Sequence, residues 1–181
     1  MLNLRSGIKS KALNFFFLNE DKSIYINELA RLIGADPMNL YRSLIKLEGE
    51  GLLLSEFRGK ERYFLSNIKN PLYKNYKEIF LKTYGLEAML KDVLKKVKDL
   101  EEAFIYGSYA ADGLGCYSDI DIMAVGSHSA IELNRALSVL QKETGREINA
   151  VNYSRAEYEK RKKKKDPFIW GVLKKKKIKV I

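Results

Sequence analysis

The sequence of 181 residues predicts an α+β fold in two parts. Two observations support this class. Within the first 67 residues, two short helical patterns meet at Gly34 and precede two short apolar strands around a Gly-containing turn. After residue 100, strand patterns alternate with helix patterns, which predicts a small mixed β-sheet with packed helices. We therefore expect domains at residues 1–67 and 101–181, joined by connecting helices over residues 68–100.

The first elements follow from local signals. Residues 9–18 are predicted to form a helix, and residues 23–26 a short strand. A second helix is expected over residues 28–33, with Asn27 as its N-cap and Gly34 ending it, because Asn accepts from free helical N–H groups and Gly adopts the left-handed conformation.

A third helix is predicted from Pro37 to about Glu50, since Asp36 is a favourable N-cap and Pro suits the first helical position. Its apolar residues recur at helical spacing and should face the core. The opposite face then carries four polar residues that we take as candidate DNA contacts: Asn39, Arg42, Ser43 and Lys46.

Two strands, over residues 52–57 and 61–65, flank the basic turn Arg58-Gly59-Lys60. With the preceding helices, this order resembles the winged helix-turn-helix domain of arsenical-repressor-type transcription factors, over roughly residues 5–67. The resemblance implies that the third helix enters the major groove of double-stranded DNA while Arg58 and Lys60 contact phosphates. Winged helices also serve as interaction or dimerisation modules, so a structural role and a homodimer stay open.

The connecting segment carries an apolar stripe at helical spacing between residues 72 and 84, and helical spacing continues over residues 87–100. The predicted second domain then contains three strands, three intervening helices, and a terminal helix and strand. The three main strands are expected at residues 103–106, 119–125 and 147–152.

Two carboxylates, Asp119 and Asp121, are spaced i and i+2 in the second of these strands. In a strand such residues point to the same face, whereas Ile120 and Ile122 point to the other. Adjacent carboxylates repel, and a hard divalent cation such as Mg²⁺ relieves that repulsion while leaving positions for phosphate oxygens. An ordinary strand with two solvated aspartates is the alternative interpretation.

Gly107-Ser108, ten further residues and then Asp119-Ile120-Asp121 resemble the signature of the polymerase-β-like nucleotidyltransferase superfamily, especially its minimal members. The resemblance covers roughly residues 86–181. It implies a small mixed sheet, two Mg²⁺ ions, a nucleoside triphosphate substrate, for which we expect ATP, and transfer of AMP to a hydroxyl group. Gly107, Ser108 and Ser118 are the expected nucleotide-binding residues.

The same family is expected to carry a third carboxylate on the neighbouring strand. Glu147 is the best positional match, ahead of Glu143, although many members have Asp there. Asp119, Asp121 and Glu147 are thus the expected catalytic and metal-binding residues. An ion pair between Glu147 and Arg146 or a lysine is the alternative.

Charge is unevenly distributed along the chain, whose net charge is +10. Residues 86–154 hold 7 basic and 11 acidic side chains, whereas residues 155–181 hold 12 and 3. The lysine-rich tail either attracts polyphosphate or RNA or is a solvated surface. A single cysteine excludes an intrachain disulfide, and no apolar run approaches membrane-spanning length, so we expect a cytoplasmic protein without membrane partners.

Two functions remain open at this level. The first is a nucleotidyltransferase fused to a DNA-binding domain, acting as an antitoxin or regulator with a toxin-like protein or a small molecule as acceptor. The second is a DNA-binding transcriptional regulator whose nucleotidyltransferase domain senses nucleotide or is inactive.

Overall fold

The computed structural model describes residues 7–111 and 119–181. The chain forms two compact units. The N-terminal unit comprises Met1–Ala88 and Lys142–Gly145, and the C-terminal unit comprises Met89–Gln141 and Arg146–Ile181. The division at residues 88 and 89 falls inside the segment predicted to connect the domains.

The N-terminal unit contains four helices and three strands among the described residues, in the order α1 (Gly7–Leu18), β1 (Ile24–Tyr25), α2 (Ile26–Ile33), α3 (Pro37–Gly49), β2 (Leu53–Arg58), β3 (Glu61–Ser66) and α4 (Tyr73–Thr83). The strands form an antiparallel sheet in the order β1-β3-β2. This is the succession of helices and hairpin that the sequence predicts for residues 9–65.

Most of the predicted capping residues determine where α2 ends and where α3 begins. Asp36 accepts a hydrogen bond from the Asn39 backbone nitrogen at 2.9 Å, and Pro37 opens α3, as expected. Gly34 ends α2 with φ of 60°, a left-handed conformation. The prediction of Asn27 as N-cap is wrong: α2 begins at Ile26, two residues earlier than expected, and the Asn27 amide donates to the Tyr25 hydroxyl instead.

The core of the N-terminal unit combines aromatic and aliphatic side chains. Phe16 and Phe64 are fully buried, and Phe17 packs edge-on against Tyr73 and tilted against Phe80. Such pairs add about 0.5–1.5 kcal/mol each to the burial of their area. Leucines at residues 40, 44 and 47 of α3 are also fully buried, which leaves the other face of α3 exposed.

The helix α5 (Leu86–Leu94) crosses from the first unit into the second. The described part of the C-terminal unit continues with β4 (Leu100–Tyr106), α6 (Gly107–Ala110), β5 (Ile120–Gly126), α7 (Ala130–Thr144), β6 (Ile148–Tyr153), α8 (Arg155–Lys163), α9 (Pro167–Lys174) and β7 (Ile178–Lys179). The small mixed sheet with packed helices agrees with the predicted α+β class.

The second sheet has the order β6-β5-β4-β7. β5 pairs antiparallel with β4 and parallel with β6, so it is an interior strand. Its residues 120 and 122–126 are buried, whereas Asp121 is half-buried. One face of this sheet carries Met123, Val125 and Tyr153, which pack with Ile169 and Val172 of α9. No helix among the described residues is long and apolar enough to cross a membrane.

Candidate functional site

The carboxylate pair lies at the start of an interior strand. Asp119 directly precedes β5 and is exposed, and Asp121 is the second residue of β5. Ile120 and Ile122 are fully buried. Because side chains alternate across a strand, this burial places both carboxylates on the face opposite the two isoleucines, as the i and i+2 spacing predicts.

The two carboxylates also influence each other electrostatically. Burial raises the pKa of Asp121, and the negative charge of Asp119 raises that pKa further. Both effects act against the ionised form. A divalent cation between the two groups would counter them, because it stabilises both charges at once.

Gly107 brings the backbone at the end of β4 directly against this pair. Its φ is 74°, in the left-handed region that favours glycine. A Cβ atom at this position would lie only 2.6 Å from the Asp121 Oδ2. Residue 107 must therefore lack a side chain for Asp121 to keep its place. Ser108, the next residue, is half-buried in the short helix α6, and the predicted nucleotide ligand Ser118 lies outside the described residues.

One polar residue of the site was missed in the sequence. Asn149 of β6 is paired with Asp121 in the parallel register, and its Nδ2 donates to the Asp119 Oδ2 at 3.2 Å. The signal in the sequence is a polar side chain at the second residue of a largely apolar strand, but only the register of β5 and β6 connects it with the carboxylates.

Glu147, the predicted third carboxylate, precedes β6 and is exposed. Its backbone oxygen accepts from the Ile120 nitrogen at 2.9 Å. Residues 7–111 and 119–181 contain no group of three His, Cys, Asp or Glu side chains that could hold a metal ion. The structure therefore brings Asp119 and Asp121 together but does not add Glu147 to them as a third acidic ligand.

The donor chemistry fits one hard divalent cation. Two carboxylates supply oxygen ligands with a charge of −2, and the Asn149 side chain offers an amide oxygen as a neutral ligand. Mg²⁺ is commonly held by one or two carboxylates together with substrate phosphates and water. Asp119 and Asp121 are the residues that would hold it, and Asn149 is the neutral group beside them.

The face of α3 that was predicted to contact DNA is largely open to solvent. Asn39, Arg42 and Lys46 are exposed, whereas Ser43 is half-buried and its hydroxyl donates to the Asn39 carbonyl at 3.0 Å. Within the described part of the chain, Arg42 and Lys46 form no ion pair. Both cations are therefore available to an external anion.

The two basic residues of the hairpin turn differ in their interactions. Arg58 is ion-paired with Glu56, donates to the Ser23 hydroxyl at 3.1 Å and lies 4.5 Å from the centre of the Tyr63 ring. Lys60 is exposed and forms no ion pair with any described residue. Of the two predicted phosphate contacts, Lys60 is thus the available one.

Similarity to known proteins covers parts of this chain. Residues 88–170 match the family model described as "Polymerase beta, Nucleotidyltransferase". No curated protein matches the chain. Among solved structures, a chain of a mutant of the toxin-antitoxin MntA-HpeT is similar at 12% identity, over 53% of this chain and 73% of that one, with a TM-score of 0.40.

The family match spans β4, β5 and β6 and so includes every strand that supplies the site described above. It covers Gly107, Ser108, the carboxylate pair and Asn149. Residues 88–170 of this chain are thus similar to the polymerase β nucleotidyltransferase family.

Proposed function

We propose that the C-terminal unit is a Mg²⁺-dependent nucleotidyltransferase that transfers AMP from ATP to a hydroxyl group of a protein or small molecule. The observation that carries this proposal is the close approach of Gly107 to Asp121, beside Asp119, inside the segment that matches the nucleotidyltransferase family. An ordinary strand with two solvated aspartates would not need a glycine in the left-handed conformation at this distance.

Each residue has a role in this proposal. Asp119 and Asp121 hold the cation, which would neutralise phosphate charge and favour ionisation of the acceptor hydroxyl. The backbone beyond Gly107 and the Ser108 hydroxyl bind phosphate oxygens. The acceptor oxygen then attacks the α-phosphorus and pyrophosphate leaves, so the bond between the α-phosphorus and the bridging oxygen is the one that breaks.

We further propose that the N-terminal unit binds double-stranded DNA. The order of α2, α3 and the β2–β3 hairpin supports a winged helix, and the open cations Arg42, Lys46 and Lys60 support contacts with phosphates. In this assignment α3 enters the major groove, and the hairpin turn lies against the backbone.

A regulator with a nucleotide-sensing domain is the second candidate function. Asn149 favours it, because a neutral amide stands beside the carboxylate pair where a further carboxylate would assist transfer. Such a protein would bind Mg²⁺ and ATP at the same residues without releasing pyrophosphate.

One labelling experiment distinguishes the transferase from the nucleotide sensor. The full chain is incubated with Mg²⁺ and ATP labelled at the α-phosphate, with cell proteins and with hydroxyl-bearing small molecules as acceptors. ATP labelled at the γ-phosphate is the control for phosphoryl transfer. Transfer is supported by α-label in an acceptor with release of pyrophosphate, both lost in Asp119→Asn/Asp121→Asn. Bound ATP that remains intact with every acceptor would favour the sensor.

A further inference from the structure

The side chains of three neighbouring strands form a row at the candidate site. Tyr106 of β4 is paired with Asp121, and Asp121 is in turn paired with Asn149 in β6. Directly paired residues of neighbouring strands face the same side of a sheet. Asn149 therefore stands on the carboxylate face, at the level of Asp121 and on the side away from Tyr106.

Asn149 interacts with the other carboxylate as well. Its Nδ2 donates to the Asp119 Oδ2, so the amide connects β6 to the residue that precedes β5. Asp119 directly precedes β5 and its side chain is exposed. Few other interactions among the described residues therefore hold this side chain in one orientation. A hydrogen bond to a carboxylate is stronger than one between neutral groups and fixes the orientation of the acceptor.

An amide at this position also sets the charge of the site. Asp119 and Asp121 contribute −2, and a carboxylate in place of Asn149 would make this −3. Each additional divalent cation needs anionic ligands to offset its loss of water, and Mg²⁺ dehydrates reluctantly. Two carboxylates and one amide match one cation, with phosphate oxygens of the nucleotide completing its ligands.

We propose that Asn149 is a positioning residue that holds Asp119 by its amide in place of a third carboxylate, so that the site takes one divalent cation with the nucleotide and not two. This inference rests on the proposed function, since it concerns the same carboxylate pair. According to this inference, one side chain determines how many cations the site binds. Replacing Asn149 by Asp should therefore change that number.

The test counts Mn²⁺ ions bound to the full chain, by electron paramagnetic resonance of free Mn²⁺, in the presence of an ATP analogue with a methylene bridge between the α- and β-phosphates. The wild-type chain and Asn149→Asp are compared. Asn134→Asp, at an exposed position of α7, is the matched control for the added charge. We expect one ion in the wild type and in the control, and two in Asn149→Asp.

Thermal unfolding without nucleotide gives a second readout. Three carboxylates repel more than two, so Asn149→Asp should unfold at a lower temperature than Asn134→Asp when divalent cations are removed. Adding Mn²⁺ should raise the unfolding temperature of Asn149→Asp more than that of the wild type, because the cation binds the folded chain alone.

The outcomes distinguish this inference from the proposed function. Two ions in the wild type would overturn the single-cation site but leave nucleotidyl transfer standing. One ion in Asn149→Asp, with an unfolding temperature that follows the Asn134→Asp control, would overturn the role of Asn149 alone. No protein-bound Mn²⁺ in the wild type, with or without the analogue, would overturn both.

Discussion

Gly107 is the residue whose replacement tests the site most locally. A Cβ atom there would meet the Asp121 Oδ2, and the φ of 74° is unfavourable for any other residue. Gly34 offers the matched control, because its φ is 60° and a Cβ atom would meet nothing within 4 Å. A comparison of Gly34→Ala with Gly107→Ala therefore distinguishes the effect of backbone strain from the effect of displacing the Asp121 carboxylate.

We predict that Gly34→Ala lowers the free energy of unfolding by about 1 kcal/mol and leaves ATP binding unchanged. Gly107→Ala should cost at least as much and also weaken Mg²⁺-dependent ATP binding by roughly tenfold, about 1.4 kcal/mol. Denaturant unfolding and calorimetric titration measure these effects. Equal ATP affinity in the two variants would show that the close approach of Gly107 to Asp121 does not serve the nucleotide site.

At the scale of elements, β5 is buried on both faces beyond Asp121, and its charge is confined to the start of the face that also carries Met123 and Val125. Ile122 is fully buried in this interior strand, whereas Ile131 of α7 is 74% exposed in the same unit. Ile122→Ala should lower the free energy of unfolding by roughly 2–5 kcal/mol, because it leaves a cavity. Ile131→Ala should change it by less than about 0.5 kcal/mol. Similar losses in denaturant unfolding of both variants would contradict the burial of β5.

α3 is the element on which the proposed DNA contact depends. Arg42 and Lys46 are exposed and form no ion pair with described residues. Each phosphate contact contributes about 0.9 to the slope of log affinity against log salt concentration. We predict that Arg42→Ala/Lys46→Ala weakens binding to duplex DNA and reduces that slope by about 1.8.

The control for this pair is Lys69→Ala/Lys74→Ala, which removes the same charge from exposed positions outside α3. Fluorescence anisotropy with a labelled duplex, repeated at several salt concentrations, gives both affinity and slope. An equal effect of the two double variants would show that net charge attracts the DNA and that α3 has no special contact with it.

For helices and strands, the features that depend on nearby residues could be predicted from the sequence. Asp36, Pro37 and Gly34 determine the ends of α2 and α3 by interactions within a few residues, so their effects were predictable. The same holds for the i and i+2 spacing of Asp119 and Asp121 at the start of β5. Asn27 failed as a cap because Tyr25 already has extended backbone, and α2 begins directly after it.

Long-range pairing was not predictable in the same way. Asn149 meets Asp119 and Asp121 because β6 pairs in parallel with β5 in one particular register. A change of register by two residues would place Glu147 opposite Asp121, and nothing local in the sequence decides between these arrangements. The contact of Arg58 with the Tyr63 ring likewise depends on the pairing of β2 with β3, whereas its ion pair with Glu56 lies within β2.

At the scale of the whole molecule, the two proposed activities are assigned to segments of opposite net charge. The segment of residues 86–154, which holds the carboxylates, has more acidic than basic side chains, whereas residues 1–85 hold 14 basic and 9 acidic ones. Part of the basic tail interacts with aromatic rings: the Nζ atoms of Lys165 and Lys174 lie 5.8 and 5.3 Å from the centre of the Trp170 ring. These lysines stabilise the surface around α9 as well as adding charge.

We predict that the two activities respond to separate substitutions. Asp119→Asn/Asp121→Asn should abolish Mg²⁺-dependent ATP binding and leave affinity for duplex DNA within a factor of about two, since a surface change of this kind is small beside phosphate contacts. Arg42→Ala/Lys46→Ala should show the reverse pattern. Parallel anisotropy and calorimetry on the full chain check both, and joint loss in either variant would contradict separate sites.

The most direct measurement of the central claim is calorimetric titration of ATP into the full chain, with Mg²⁺ and with a chelator, in the wild type and in Asp119→Asn/Asp121→Asn. We predict that ATP binds the wild type only when Mg²⁺ is present and that the variant, although folded, does not bind it under either condition. Binding that is independent of Mg²⁺, or equal in the wild type and the variant, would show that Asp119 and Asp121 are not a cation-dependent nucleotide site.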